Sequence, residues 1–470
     1  MLFTSYAFIF AFFPVTLAVY WLLLRFREGL FSKIWLILAS FYFFAQGEAW
    51  FLPYFIGTVI FNYAAGILLL RGKRAAFRRA VLAVALAENI GLLCWYKYTG
   101  FFIRTVNSVF SLKIPALNIS LPLGLSFFTF MIAAFLADCY RREIEKADPL
   151  GYLLFVSFFP KMIIGPLVRY TEFAPQFSGE KARKFDPGNF QKGFFRFSMG
   201  CAKKVLLADP MLNYTGGVFS NLTGTSPLGV WLGLLTNLFA FYFDFSGYTD
   251  MAIGLALFFN IELPENFDSP YLARNVRQFW KKWHMTLTRF LYRYIFSRIY
   301  KPGRRLAGFC LATAVTFLVS GLWHGAGANY VLWGLAHGAA ICLAAAVAVK
   351  STRKYLMPKW LARLLTLAFL VFAAALYVFP GPGAFGHMLA RMVYAGYYRG
   401  GDAGVKVLKF FSDNAYVIAV LIISAAVMFF GKTAGFLAKE CAGKRWWTVL
   451  AAGLLAVCLF GLGQAVPFIY

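Results

Sequence analysis

Runs of about 18–24 mainly apolar residues recur along this chain, and each could cross a hydrocarbon core of roughly 30 Å. Hydrophobic residues make up 61% and charged residues 14% of the 470, against roughly 45–50% and about 25% in an ordinary soluble domain. The pattern is that of an all-α polytopic membrane protein, read as a single membrane-embedded domain over 1–470. About eleven crossings are expected, near 4–24, 34–50, 52–70, 80–98, 119–138, 226–247, 306–323, 327–349, 363–380, 414–430 and 447–465. The opening run MLFTSYAFIFAFFPVTLAVYWLLL lacks a basic leader and a small-residue cleavage site, so it is expected to remain as a helix.

The net charge is +27, from 46 Lys+Arg against 19 Asp+Glu. In a soluble protein such an excess would suggest nucleic acid. Here it falls in clusters between apolar runs, as cytoplasmic loops do, so no nucleic-acid partner is expected. Arg25, Arg27 and Lys33, then RGKRAAFRR (71–79) and RREIEK (141–146), place the N-terminus outside. The same clusters would draw an anionic substrate to a cytoplasmic mouth. One run breaks the alternation. A full crossing at YLLFVSFFPKMIIGPLVRY (152–170) would put eight Lys/Arg between Arg169 and Lys204 outside. Pro160, Lys161 and the pair Gly165-Pro166 also interrupt it. A re-entrant segment is expected, since broken backbone at membrane depth survives where protein or water satisfies it.

Residues 269–305 carry ten Lys/Arg and no acid. Phe279, Trp283, Leu287, Phe290 and Leu291 recur at three- and four-residue spacing, which predicts an amphipathic helix lying in the membrane interface against lipid. A further basic group, Lys350, Arg353, Lys354 and Lys359, makes 306–349 a hairpin that returns to the cytoplasm. Its turn is WHGAG.

Ionisable groups within a bilayer are costly, so each is a functional candidate. The stretch GLWHGAGANYVLWGLAHG (321–338) holds two of the four histidines and five glycines. Imidazole suits a general base, and the glycines would let backbone and substrate approach His324 closely. His337 lies on the return helix, where a bond to a neighbouring helix accounts for it. His284 belongs to the basic segment on the cytoplasmic side. No pair of these histidines has the spacing of a metal site with a nearby carboxylate. Ser320, four residues before His324, is expected to bond its own i−4 carbonyl. The seven cysteines have no paired spacing and read as small hydrophobes. In FYFDFSGYTDMAIG (241–254), Asp244 and Asp250 flank Gly247, read as a break. In NIELPENFDSPY (260–271) stand Glu262, Glu265 and Asp268. These acids are expected to pair locally with Arg274, Arg277, Lys281 or Lys282.

Taken in order, five segments resemble the membrane-bound O-acyltransferase family, most closely its bacterial alginate O-acetyltransferase branch. They are LPLGLSFFTF (121–130), FFPKMIIGPLVRY (158–170), FYFDFSGYTDMAIG (241–254), NFDSPYLARNVRQFWKKWHMTLTRFL (266–291) and GLWHGAGANYVLWGLAHG (321–338). The resemblance implies a helical bundle with re-entrant and interfacial helices around a transmembrane tunnel. An acyl donor would enter from the cytoplasm and an acceptor from outside. It implies His324, in WHG, as the catalytic histidine. His284, in FWKKWH, falls at a position that is His or Asn across the wider family. Trp323, Asn329, Arg274, Arg277, Lys281 and Lys282 are the substrate-binding candidates that go with it. Two residues depart from the family pattern: Met131 stands where many relatives carry glutamine, and Ala328 where they usually carry an aromatic.

The implied activity is transfer of an acetyl group from a cytoplasmic thioester to an extracytoplasmic polysaccharide, alginate-like or peptidoglycan, in a bacterial inner membrane. Acetyl-CoA is the implied donor and no bound cofactor or metal is implied. An exported acetyl-acceptor or polysaccharide-modifying protein is the implied partner. D-alanyl transfer to teichoic acid, or a non-enzymatic transporter or flippase, are the alternatives.

Overall fold

Every stretch that the apolar runs mark as a crossing is helical in the computed structural model, and the described residues contain no strand. The structure describes all residues except 27–28, 302, 304, 351–356, 399–401, 442 and 463–470. Arg27, Arg304, Arg353 and Lys354 of the basic clusters, and the end of the last expected crossing, lie outside the described residues.

Among the described residues six helical stretches are long and apolar enough to cross a membrane: Leu30–Arg71, Ala75–Phe110, Pro227–Leu257, Leu306–His324, Ala328–Val349 and Lys359–Val378. A seventh is made if Ala403–Asp413 and Ala415–Phe430, bent by 65° at their junction, count as one. The first of these stretches holds two of the expected crossings as separate helices, Leu30–Glu48 and Leu52–Arg71, broken at Glu48, and three more expected crossings fall on the shorter helices Phe8–Leu23, Leu125–Tyr140 and Arg445–Gly461. Outward faces are strongly apolar: Val349, Phe430 and Phe460 are 73%, 89% and 91% exposed. Faces of that kind need lipid or a partner to cover them.

The chain forms two compact units. The first comprises 1–198, 249–264 and 438–451. Its centre is aromatic: the Phe159 ring lies 5.3 Å from that of Phe12 and 5.6 Å from that of Phe43. Polar groups between its apolar helices are matched with one another, as hydrocarbon demands. Asn62 Nδ2 donates to Glu88 at 3.1 Å, and Asn89 Nδ2 donates to Asn62 Oδ1 at 2.8 Å. Run 152–170 lies in this unit as two short helices, Pro149–Ser157 and Phe159–Met162, followed by extended chain. At 1.5 Å per residue neither can cross a bilayer. The Lys161 ammonium inside the break is buried, donates to the Phe155 carbonyl, and lies 3.1 Å from the sulfur of Met131. Arg196 and Asp250 form a buried ion pair at 2.6 Å.

The second unit comprises 199–248, 265–437 and 452–470. Its tightest crossing is the hairpin of Leu306–His324 with Ala328–Lys350. A Cβ on Gly321 would strike the carbonyl of Tyr330, and one on Gly334 the carbonyl of Phe317. The hairpin glycines thus let two helix backbones touch, the small-residue packing that membrane helices favour. Gly247 is not a break: Pro227–Leu257 is one continuous helix, and Gly247 leaves room for the backbone of Gly200. Lys204, fully buried, bridges Asp209 at 2.8 Å and Asp244 at 2.7 Å. Asp244 and Asp250 therefore pair as expected, but with Lys204 and Arg196 rather than with the basic segment.

The amphipathic helix expected over 269–305 is replaced by short pieces, among them Val276–Trp280, Met285–Leu291 and Tyr292–Phe296. Phe279, Trp283, Leu287 and Leu291 are buried, so this face packs on protein. The interruption has a local cause. His284 takes the left-handed conformation (φ 44°, ψ 51°), which no helix can run through.

Candidate active site

The interruption at His284 is held by one side chain that charge-based reading passes over. Asn266 Oδ1 accepts from Thr286 N at 3.2 Å, from Thr286 Oγ1 at 2.9 Å, and lies 3.1 Å from His284 Nδ1. A backbone N–H can only donate, so the atom facing it is the amide oxygen. His284 Nδ1 must then carry the proton, leaving the lone pair on Nε2. Backbone bonds from Met285 N to Asn266 O and from Asp268 N to Lys282 O, both 3.0 Å, tie the two segments together. The imidazole is fully buried, edge-on to Phe245 at 4.8 Å. Burial pushes its pKa down to about 3, which keeps it neutral.

His324 ends the outgoing helix of the hairpin. Its ring is edge-on to Trp323 at 4.7 Å, Trp333 at 5.0 Å and Tyr377 at 5.7 Å. Trp323 is buried and also reaches His284, at 6.5 Å between ring centroids. The expected pair of histidines is thus joined through one indole.

His324 opens on a narrow cavity of about 60 Å³, walled mainly by Phe241, Tyr271, Phe279, Trp283, Trp333 and Tyr377. His337 lies on the same cavity. It also makes the bond to a neighbouring helix that the sequence led one to expect, accepting at Nδ1 from Trp280 Nε1 at 3.2 Å. A second cavity, of about 490 Å³, is lined by Arg277 and Lys281 together with Tyr292, Phe296, Tyr300 and Phe309. Trp280 and Phe317 wall both cavities.

The other sequence candidates divide. Arg277 and Lys281 line the second cavity. Lys282 instead pairs with Asp268 at 2.8 Å on the surface. The Arg274 backbone N–H is held by Gln278 Oε1 at 3.0 Å. Asn329 Nδ2 donates to the carbonyl of Tyr377 at 2.9 Å, so it anchors a wall of the first cavity. The Ser320 hydroxyl is buried and lacks the expected bond to its i−4 carbonyl. Among the described residues no cluster of three His, Cys, Asp or Glu could hold a metal. Sequence reading missed Asn266, Trp280, Trp333 and Tyr377. Asn266 sits inside NIELPENFDSPY, where attention to the three acids hid the one amide.

Fold and site define a class, a multi-pass helical membrane enzyme with histidines on an aromatic cavity. Residues 134–389 match the membrane-bound O-acyltransferase family, and the chain belongs to that family. Among its relatives, a peptidoglycan O-acetyltransferase of Helicobacter pylori is 38% identical over 79% of this chain and 75% of its own. A probable alginate O-acetylase of Pseudomonas aeruginosa is 33% identical over 77% of this chain and 69% of its own. A teichoic acid D-alanyltransferase of Bacillus subtilis is 27% identical over 47% and 58%. This chain is a membrane-bound O-acyltransferase.

Proposed function

We propose that the enzyme passes an acetyl group from acetyl-CoA in the cytoplasm to a hydroxyl on an exported polysaccharide, either peptidoglycan or an alginate-like glycan, in a bacterial inner membrane. The observation that carries this reading is the pairing of cavities. One is basic, lined by Arg277 and Lys281, and suits a polyanionic nucleotide. The other is narrow and aromatic and holds His324. The relatives' acetyl chemistry supports the same donor, and their names support a glycan acceptor.

In this reaction His324 takes the proton of the attacking hydroxyl as its oxygen bonds the thioester carbonyl carbon. The tetrahedral adduct then expels the thiolate, which recovers that proton from His324. His284 acts from behind Trp323. Its Nδ1–H is committed to Asn266, so it aligns the aromatic wall and offers Nε2 as an acceptor. The acceptor hydroxyl belongs to the glycan or to an exported partner protein that relays the acyl group.

The test replaces His324 with Ala, confirms normal membrane levels, and measures acetyl ester on the exported glycan together with CoA release from labelled acetyl-CoA in proteoliposomes. Loss of both is expected. Unchanged esterification sinks the reading. Alanyl ester in place of acetyl ester would redirect it to D-alanyl transfer.

A further inference from the structure

The reaction as written leaves one enclosed imidazole without a task. His337 is buried, lies on the His324 cavity, and receives a hydrogen bond at Nδ1 from Trp280 Nε1 at 3.2 Å. An indole N–H can only donate. The acceptor nitrogen therefore holds the lone pair, the ring is neutral, and its single N–H is on Nε2. His284 has the opposite tautomer, fixed by Asn266. The two buried histidines are thus set by unambiguous partners, one with Nδ1–H and one with Nε2–H.

The surroundings also fix where the His337 ring lies. Phe279 and Phe317 are near-parallel to it, at 6.4 Å and 6.3 Å, and Phe369 stands edge-on at 5.1 Å. Trp333 packs on both histidines of the cavity, 5.0 Å from His324 and 4.8 Å from His337. A base and a locked neutral donor consequently share one small cavity with mainly apolar walls. Acyl transfer needs both, since the carbonyl oxygen gains negative charge as the base gains a proton. A preorganised donor in such a chamber is among the strongest contributions an enzyme can make.

We propose that His337 Nε2–H is the hydrogen-bond donor that stabilises the acyl carbonyl oxygen as the adduct forms. The inference rests on the acyl-transfer reading above. The hydroxyl oxygen forms the new C–O bond, and the carbonyl π pair moves onto oxygen, where His337 donates to it. When that pair returns, the C–S bond breaks and the thiolate leaves with the proton from His324. His337 keeps its own proton throughout. Trp280 is the positioning residue that holds the tautomer, and its side chain lines both cavities.

The experiment uses the full-length chain in proteoliposomes, with acetyl-CoA as the probe and ester formation on the glycan as the readout. His337→Phe keeps ring and volume and removes the donor, and a fall in kcat of about 10²–10³-fold is expected, with KM for acetyl-CoA unchanged. His337→Gln carries an N–H donor and should recover most of that loss. Trp280→Phe keeps the aromatic wall and releases the tautomer, and should lower kcat by about tenfold without moving KM. Thermal unfolding of each variant monitors folding. If His337→Phe folds poorly, the Gln and Trp280→Phe variants carry the decision: kcat kept in Gln and lowered in Trp280→Phe supports the donor role. Wild-type kcat in either Phe variant overturns the proposal, as does Gln failing while folded. His324→Ala, run alongside, separates the two readings. If it is inactive while His337→Phe is not, only this inference falls. If it is fully active, acyl transfer by His324 falls and takes this inference with it.

Discussion

Replacing Asn266 with Ala tests the loop that presents His284. Three donors lose their acceptor: His284 Nδ1, Thr286 N and Thr286 Oγ1. Each buried donor left unmet costs about 1–3 kcal/mol. The Thr286 hydroxyl can rotate toward another acceptor, and the Asn266 carbonyl still receives Met285 N. Two donors at the lower half of that range give a loss of about 2–4 kcal/mol. Asn266→Asp is the control, because a carboxylate oxygen accepts the same three bonds. It would also stabilise the charged imidazole. Thermal unfolding of the detergent-purified chain, followed by tryptophan fluorescence, should show Asn266→Ala melting several degrees below both wild type and Asn266→Asp. Transfer activity should fall further than stability explains, since the tautomer of His284 is no longer fixed. A wild-type midpoint with wild-type activity in Asn266→Ala would refute the argument that this amide holds the loop.

Three further outcomes follow from the geometry. Gly334→Val drives a side chain into the Phe317 carbonyl and should cost at least about 1–3 kcal/mol, whereas Gly338→Ala, whose Cβ would sit 3.5 Å from its nearest neighbour, should melt like wild type. Lys204→Met removes the cation shared by Asp209 and Asp244 and should cost about 3–5 kcal/mol, read from unfolding midpoints, with Asp209→Asn restoring part of it. His284 gives a pH signature. Its folded pKa of about 3 lies below its unfolded value of about 6.5, so the unfolded chain takes the proton first. Its stabilising contribution is whole above about pH 6.5 and falls by at most about 1.4 kcal/mol per unit as pH drops toward the folded value. Unfolding midpoints at pH 5 and 7.5 should therefore converge partly in His284→Asn, and an unchanged gap would show that this ring carries none of it.

The apolar runs made the membrane helices legible because hydrocarbon thickness acts on length alone. They could not show which helices are full spans, since that depends on where a run bends or stops, as at the 65° junction before Ala415. The basic segment shows the opposite failure. Three- and four-residue spacing fits a helix over 279–291, and the side chains at that spacing are buried as a set. The backbone nevertheless turns at His284, because Asn266, eighteen residues earlier, captures its ring and the next turn. No local pattern encodes such a partner. The motif and the loose backbone around it marked His324 as a candidate, and the structure puts it on a cavity. For His337 the sequence pointed to the bond to a neighbouring helix, which Trp280 supplies, but not to its place on the cavity, because a histidine on an apolar helix looks the same in both settings.

The left-handed turn at His284 has a consequence for what inheritance can write there. Most side chains are strained at a φ of 44°, and Asn, Asp and His are the residues enriched there apart from glycine. Of these, His and Asn each bring a neutral N–H donor that could meet the Asn266 oxygen without a charge. The family resemblance allows these same two residues at this position. Backbone shape and a single acceptor together favour these two residues before any demand of the reaction is counted.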